Sequence, residues 1–199
     1  MEKIVGNTVK PRKQLIFEAA ARLFRDKGYS ATSMRDLARE VNLRASSLYN
    51  HIASKEEILE EICRENAERF LQIMSQVEAM DADPVEKIEE LLRQHIRIAT
   101  QDVTSVTSFN DEWRHLSPDA LQRFVALRRD YEQRFVAIIE SGIRQGRIRQ
   151  IDSTIILYTL LSSVRWLYDW FKSGKRITDE EVKQSLSEMI LRGITAPAT

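Results

Sequence analysis

The chain has 199 residues, of which 43% are apolar and 30% charged, with 30 basic side chains balancing 30 acidic ones. That is enough apolar material for a core, while six glycines and four prolines argue against a turn-rich all-β fold and a single cysteine, Cys63, excludes an internal disulfide framework. The zero net charge hides an asymmetry, because residues 1–55 carry 11 Lys and Arg against 5 Asp and Glu, as expected of a polyanion-binding module joined to an acidic body.

Met1 to Lys13 lack the apolar stretch of a secretory signal, which points to a cytoplasmic protein. Almost every later segment reads as an amphipathic helix, so the expected fold class is all-α. A first helix is expected from about Pro11 to Lys27, with Ile16, Ala19, Ala20, Leu23 and Phe24 on one face and Gly28 ending it. Thr32 or Ser33 caps a short second helix reaching Glu40. Val41-Asn42-Leu43 is a tight break, and a third short helix covers Ala45 to His51. Ser54 to Glu57, Asp83 to Glu86 and Thr178 to Glu181 read as capping boxes. They open helices to about Ala79, through Ala99, and to about Arg192. Gln101 to His115 is less regular, with a short helix and a turn. Ser117-Pro118 opens a long helix ending near Gly146, and Asp152 caps another running to about Lys172. The longest uncharged apolar stretch, Ser153 to Val164, is too short to span a bilayer, so no membrane association is expected.

The second and third helices, held by the first, make a helix-turn-helix unit, which places its second helix in the major groove of DNA. Arg44, Ser46, Ser47, Asn50 and His51 lie at the start or along one side of that helix. Arginine, serine and asparagine suit base edges or phosphates. Tyr49, Lys55 and Thr32 are candidates for backbone contacts, and Ser33 belongs to the same set. A plain helical hairpin with a polar surface has the same spacing.

The runs Gly28-Tyr-Ser-Ala-Thr-Ser-Met-Arg-Asp-Leu-Ala38 and Leu48-Tyr-Asn-His-Ile-Ala-Ser-Lys-Glu56 make the signal specific. They resemble the DNA-binding domain of the TetR family of bacterial repressors, with its Gly, Thr, Leu-Ala, Tyr-x-His and Ser-Lys-Glu at this spacing. The resemblance implies that Thr32, Tyr49, His51 and Lys55 touch phosphates and that Arg44, Ala45, Ser46 and Ser47 sit near bases. It also implies a three-helix DNA-binding domain over residues 1–53 and a larger helical ligand-binding and dimerisation domain over 54–199. Asn42, Ser46 and Ile52 depart from the family's usual Gly, Gly and Phe. Such proteins are homodimers that release a palindromic double-stranded operator when a small molecule binds.

From Ile155 to Phe171 the chain is apolar nearly all round, and such a helix must be covered on every side. That suits a homodimer built through the last two helices, or the centre of a monomeric bundle. Arg165 inside this stretch requires a partner: Asp169, four residues on, or an anionic ligand group. Arg128 falls between Phe124 and Tyr131 on an apolar stripe. His95 also lies on an apolar face, where a satisfied core histidine is the commoner outcome.

A second resemblance rests on Glu112-Trp113-Arg114-His115-Leu116-Ser117-Pro118, Arg128-Arg129-Asp130-Tyr131-Glu132, Arg165 to Phe171 and Ile177 to Glu181. They are similar to TetR-type regulators of fatty-acid, phenylacetate and steroid-ring catabolism, which respond to acyl-coenzyme A (acyl-CoA) thioesters. Lys172-Ser173-Gly174 departs from them, since a proline is common there. An acyl-CoA needs an apolar tunnel and cations. The candidate lining is Phe70, Met74, His95, Phe109, Trp113, Phe124, Tyr131 and Trp166. The candidate cations are Arg114, Arg128 and Arg165, with Arg93 and Arg97 behind them. A promiscuous multidrug pocket or a free-acid sensor is the alternative. With no glycine-rich phosphate loop, nucleophile elbow or metal set, no enzyme activity, catalytic residue, metal site or cofactor is expected. Glu112-x-x-His115 is a single copy of a metal-type spacing, and Cys63 sits on an apolar helix away from redox chemistry. A nonspecific DNA-coating protein would instead bind any duplex with a steep salt dependence.

Overall fold

The computed structural model describes residues 11–196 apart from 103, 105, 107 and 172–176. The readings of residues 1–10 and of Lys172-Ser173-Gly174 lie outside the described residues, as do the side chains of Tyr168 and Asp169. The helices are α1 (Arg12–Lys27), α2 (Met34–Glu40), α3 (Ala45–Tyr49), α4 (Lys55–Glu78), α5 (Pro84–Gln101), α6 (Pro118–Arg144), α7 (Ser153–Arg165), α8 (Leu167–Trp170) and α9 (Asp179–Ile194). A π-helical turn, Ser108–Glu112, and a 3-10 turn, Trp113–His115, connect α5 to α6.

Local chemistry sets the helix starts. The Ser33, Asp83 and Thr178 side chains accept backbone N–H bonds, and Asp36, Glu86 and Glu181 reach back to complete three capping boxes. At Ser54 the box is incomplete. Ser54 accepts from the Glu57 N–H, but the Glu57 carboxylate reaches one residue further, to the Ala53 N–H at 2.8 Å. Gly28 ends α1 at φ +84°, and Asn42 turns the chain between α2 and α3 at φ +52°. That region suits glycine, and asparagine tolerates it.

Two cores share the long helices. In the first, Ile16, Ala20, Phe24, Leu37, Leu48 and Ile52 from α1–α3 and the segment after α3 close over Ile58, Leu59 and Ile62 of α4. This core runs on to Ala67 of α4 and to Ala120 and Phe124 of α6. The second holds Met74, Leu91, Leu92, Ile96, Phe135, Ile139 and Leu160. α4 and α6 thus contribute side chains to both cores.

The helix expected to reach Lys172 instead breaks at Trp166, and α8 follows as a separate short turn. Within this one chain it is covered on one side. Ile156, Leu157, Leu160 and Val164 face the core, whereas Ile155 and Trp166 are each 61% exposed. An unanticipated antiparallel bridge between Ile148 and Thr195 ties the end of α9 to the loop after α6.

Candidate nucleic-acid interface and ligand cavity

The turn between α2 and α3 is closed by the Leu43 N–H, which bonds back to the Ala38 carbonyl at 2.8 Å. Leu48 and Ile52 anchor α3 in the first core, with at most 1% exposure. That anchoring turns Arg44, Ser46, Tyr49, Asn50 and His51 outwards, while Ala45 and Ser47 are half-buried beside them. A polar, aromatic and cationic surface results, with Tyr49 54% exposed. A shallow cleft brings Thr32, Ser33, Tyr49 and Lys55 together.

Within that cleft two expectations change. The Thr32 side chain is buried, and its hydroxyl lies 2.9 Å from the Gly28 carbonyl and 3.3 Å from that of Leu23. It holds the turn and presents no outward hydroxyl for a phosphate. Lys55 donates to the Tyr29 and Thr32 carbonyls at 2.8 and 2.9 Å and sits 4.1 Å from the Tyr29 ring centroid. Its ammonium already braces the cleft floor, so any phosphate would share it.

The C-terminal body holds a cavity of about 250 Å³ between α4, α5, α6 and α7. Of the sequence candidates, Phe70, His95, Phe109, Phe124, Arg128, Tyr131 and Arg165 line it. Four do not. Met74 is fully buried in the second core. Trp113 packs on Phe124, ring centroids 5.8 Å apart, and Arg114 lies over the Trp113 ring; neither lines the cavity. Trp166 points to the surface. Arg93 pairs with Glu89 and Glu90, and Arg97 bonds to Gln101. Ile98, Asn110, Leu127, Glu132, Tyr158 and Leu161 line the cavity without having been singled out. Leu127 and Glu132 follow from extending the Phe124–Arg128–Tyr131 face by three or four residues. Asn110, in an irregular connection, carries no such signal.

Each cavity arginine has a carboxylate beside it. Arg128 donates to Glu132 at 2.9 Å, and Arg165 to Asp111 at 2.8 Å. Arg165 is therefore neither buried nor alone. The Tyr158 hydroxyl donates to Glu132 at 3.1 Å. Deeper in, His95 Nε2 lies 2.6 Å from the Tyr131 hydroxyl, and the imidazole stacks on Phe70 at 4.7 Å. Burial lowers the His95 pKa to about 4 and raises that of Tyr131, so both are neutral at neutral pH.

The turn Ser108–Glu112 joins this cavity to the helix-turn-helix. Phe109 and Asn110 line the cavity, and Asp111 holds Arg165. Glu112 accepts the Tyr29 N–H at 3.0 Å and pairs with His115 at 3.4 Å. The Tyr29 ring stacks on His115 at 5.1 Å, and its hydroxyl donates to Glu56 at 3.1 Å. Glu112 and His115 thus work as a bracket on the end of α1. A second tie runs from Arg25 to the Thr104 hydroxyl at 2.8 Å. Burial raises the Cys63 pKa to about 12, leaving the thiol inert.

Elsewhere on the surface, Ile155 of α7, Trp166 at its end, Trp170 of α8 and Met189 of α9 are exposed, Met189 by 73%. Among the described residues, no helix is long and apolar enough to cross a membrane.

Comparison with known proteins fits this arrangement. Residues 16–62 match the family described as bacterial regulatory proteins, tetR family, and residues 81–194 match the tetracyclin repressor-like C-terminal domain. The HTH-type transcriptional repressor KstR2 of Mycolicibacterium smegmatis is 27% identical over 186 residues, covering 92% of this chain and 91% of that protein. The crystal structure of AibR in complex with isovaleryl coenzyme A and operator DNA is 31% identical, with a TM-score of 0.82 over 90% of this chain and 97% of that one. The ketosteroid transcriptional regulator KstR2 of Mycobacterium tuberculosis shares the fold, with a TM-score of 0.89 over 98% of this chain and 100% of that one at 24% identity.

Proposed function

Since this chain belongs to the TetR family of bacterial regulatory proteins, we propose that it is a homodimeric transcriptional repressor released from a palindromic operator by an acyl-CoA thioester. One observation carries the reading. The turn Ser108–Glu112 touches an apolar, arginine-flanked cavity with one residue and the helix-turn-helix with another three residues on.

The DNA-binding set is Ser33, Arg44, Ala45, Ser46, Ser47, Tyr49, Asn50 and His51, with Lys55 shared between the cleft floor and a phosphate. The paired recognition helices of a two-fold site stand about 34 Å apart, which requires a second copy. The exposed apolar side chains of α7 and α9 supply the surface for that copy.

A cavity of about 250 Å³ is small against the roughly 300–1,000 Å³ of ligand pockets. It suits a compact acyl group, with the coenzyme reaching out past Arg128 and Arg165. That AibR is described in complex with isovaleryl coenzyme A and operator DNA supports a short acyl-CoA as the effector. Anionic groups of the coenzyme compete with Asp111 for Arg165. Freeing Asp111 loosens the turn that Glu112 fastens to Tyr29, and the recognition helix leaves its register. The ligand must favour this released state, by thousands-fold or about 5 kcal/mol for full induction. Cytoplasmic residence follows from that role.

The test selects bound duplexes from a random library. It then titrates acyl-CoAs of graded length, their free acids and unrelated apolar drugs. Release by thioesters alone is expected. Release by none of them, or by drugs and thioesters alike, overturns the acyl-CoA reading. Failure to enrich any duplex overturns the operator-specific repressor.

A further inference from the structure

The cavity interior is apolar where Phe70, Ile98, Phe109 and Leu161 line it, and polar where His95 meets Tyr131. These two side chains come from facing helices, α5 and α6, and are 36 residues apart in the chain. A neutral imidazole has one donor and one acceptor, and a phenol has one donor. Their single mutual bond consumes one donor. If the phenol donates, the His95 Nδ1–H is left over; if Nε2–H donates, the Tyr131 O–H is. Either tautomer therefore leaves a donor, and no second hydrogen bond to either side chain exists among the described residues. No wholly buried side-chain nitrogen or oxygen is unpaired among them. When the phenol donates, the leftover donor is Nδ1–H, and Nδ1 must then border open space; the space that His95 lines is the cavity.

We propose that the His95–Tyr131 pair is a specificity-determining hydrogen-bond donor that reads an oxygen on the apolar part of the effector, a keto or hydroxyl oxygen on the acyl group. The proposal rests on the cavity being the effector site, as argued above. The Phe70 ring against His95, and the edges of Phe70 and Phe135 against Tyr131, hold the pair in place. Little ordering is then needed on binding. An all-hydrocarbon acyl group would cover this donor and leave it unpaired, which is the costly arrangement for a polar group. Because both side chains stay uncharged, the donor matches a neutral oxygen and offers no charge to a carboxylate.

Calorimetry on the full-length protein tests this with hexanoyl-CoA and 5-oxohexanoyl-CoA, and separately with cyclohexanone and methylcyclohexane. The wild type is expected to prefer each oxygen-bearing probe by about tenfold, the value of one buried hydrogen bond. Tyr131→Phe and His95→Phe are expected to erase that preference. Nitrogen NMR of the His95 ring in the wild type, which needs no variant to fold, is expected to shift with cyclohexanone and not with methylcyclohexane. Equal wild-type affinity within both probe pairs overturns the proposal. So does a preference that survives both substitutions, or an equal loss for both thioesters in Tyr131→Phe, which would place the thioester carbonyl at the pair. If cyclohexanone binds selectively while neither thioester binds, the donor inference stands and the acyl-CoA reading falls.

Discussion

The proposed DNA-binding face and the cavity of the C-terminal body are built on opposite plans. On the face, the residues with chemistry, Arg44, Ser46, Tyr49 and Asn50, are exposed, while different residues, Leu48 and Ile52, hold the helix. In the cavity the two duties fall on the same side chains. Phe70, Phe124 and Tyr131 line the cavity and are also buried core. Function and stability are therefore separable in the first region and entangled in the second.

The strongest way to expose that entanglement is Phe124→Ala. Phe124 lies in the first core and in the cavity wall, so its loss is expected to cost about 3–5 kcal/mol of stability and the effector response together. Thermal melts and DNA-release titrations check both effects. An unchanged melting temperature would break the comparison.

Acid separates the regions next. The folded His95 pKa of about 4 lies below its ordinary 6.5, so the unfolded chain binds a proton that the folded one refuses. His95 therefore subtracts no stability above pH 6.5, and an increasing amount as pH falls towards 4, at most about 3 kcal/mol. His95→Phe is expected to flatten that limb in denaturant titrations. The carboxylate in the α2 capping box responds lower. Asp36 is held at about 2 by its bonds to Ser33, so its contribution is lost only as pH drops from about 4 to 2.

On the exposed face, Arg44→Ala is expected to weaken operator binding by about 1–3 kcal/mol. Its melting temperature should stay within a degree of the wild type, because Arg44 is exposed and caps α3 without a side-chain bond. Fluorescence anisotropy and calorimetry give the two numbers. A smaller effect is expected for Glu112→Gln, which keeps the shape of the bracket and removes its charge. Operator and effector affinities measured separately should hold, while their coupling falls by about 1 kcal/mol. Smallest of all, Arg114→Ala should change effector affinity by less than about twofold, since Arg114 does not line the cavity. A loss as large as that of Arg165→Ala would contradict the cavity described here.

What could be read in advance was whatever depends on neighbours along the chain. Ser33 with Asp36, Asp83 with Glu86 and Thr178 with Glu181 are three residues apart, and a capping bond needs nothing further. Asn42 between two short apolar faces announces the turn in the same way. The TetR-type motifs lie within this local range, so they disclosed the DNA-binding unit and the all-α class. Thr32 shows the limit. Its place in the motif was legible, but not that its hydroxyl is buried against the carbonyls of Gly28 and Leu23.

The cavity depended on distant pairings. His95 meets Tyr131 across 36 residues, Asp111 meets Arg165 across 54, and Glu112 meets Tyr29 across 83. Periodicity says which side chains face inwards, but not which inward faces come together. Arg114 and Arg165 were equally plausible cations by sequence, and only the packing of the π-helical turn against α7 separated them. The sequence by itself determined the helices, their caps and the polar face of α3, because each rests on contacts within a turn or two. The tertiary structure alone decided which buried faces enclose space and which residues bridge it to the DNA-binding unit. Those contacts exist only once α4 to α7 have packed.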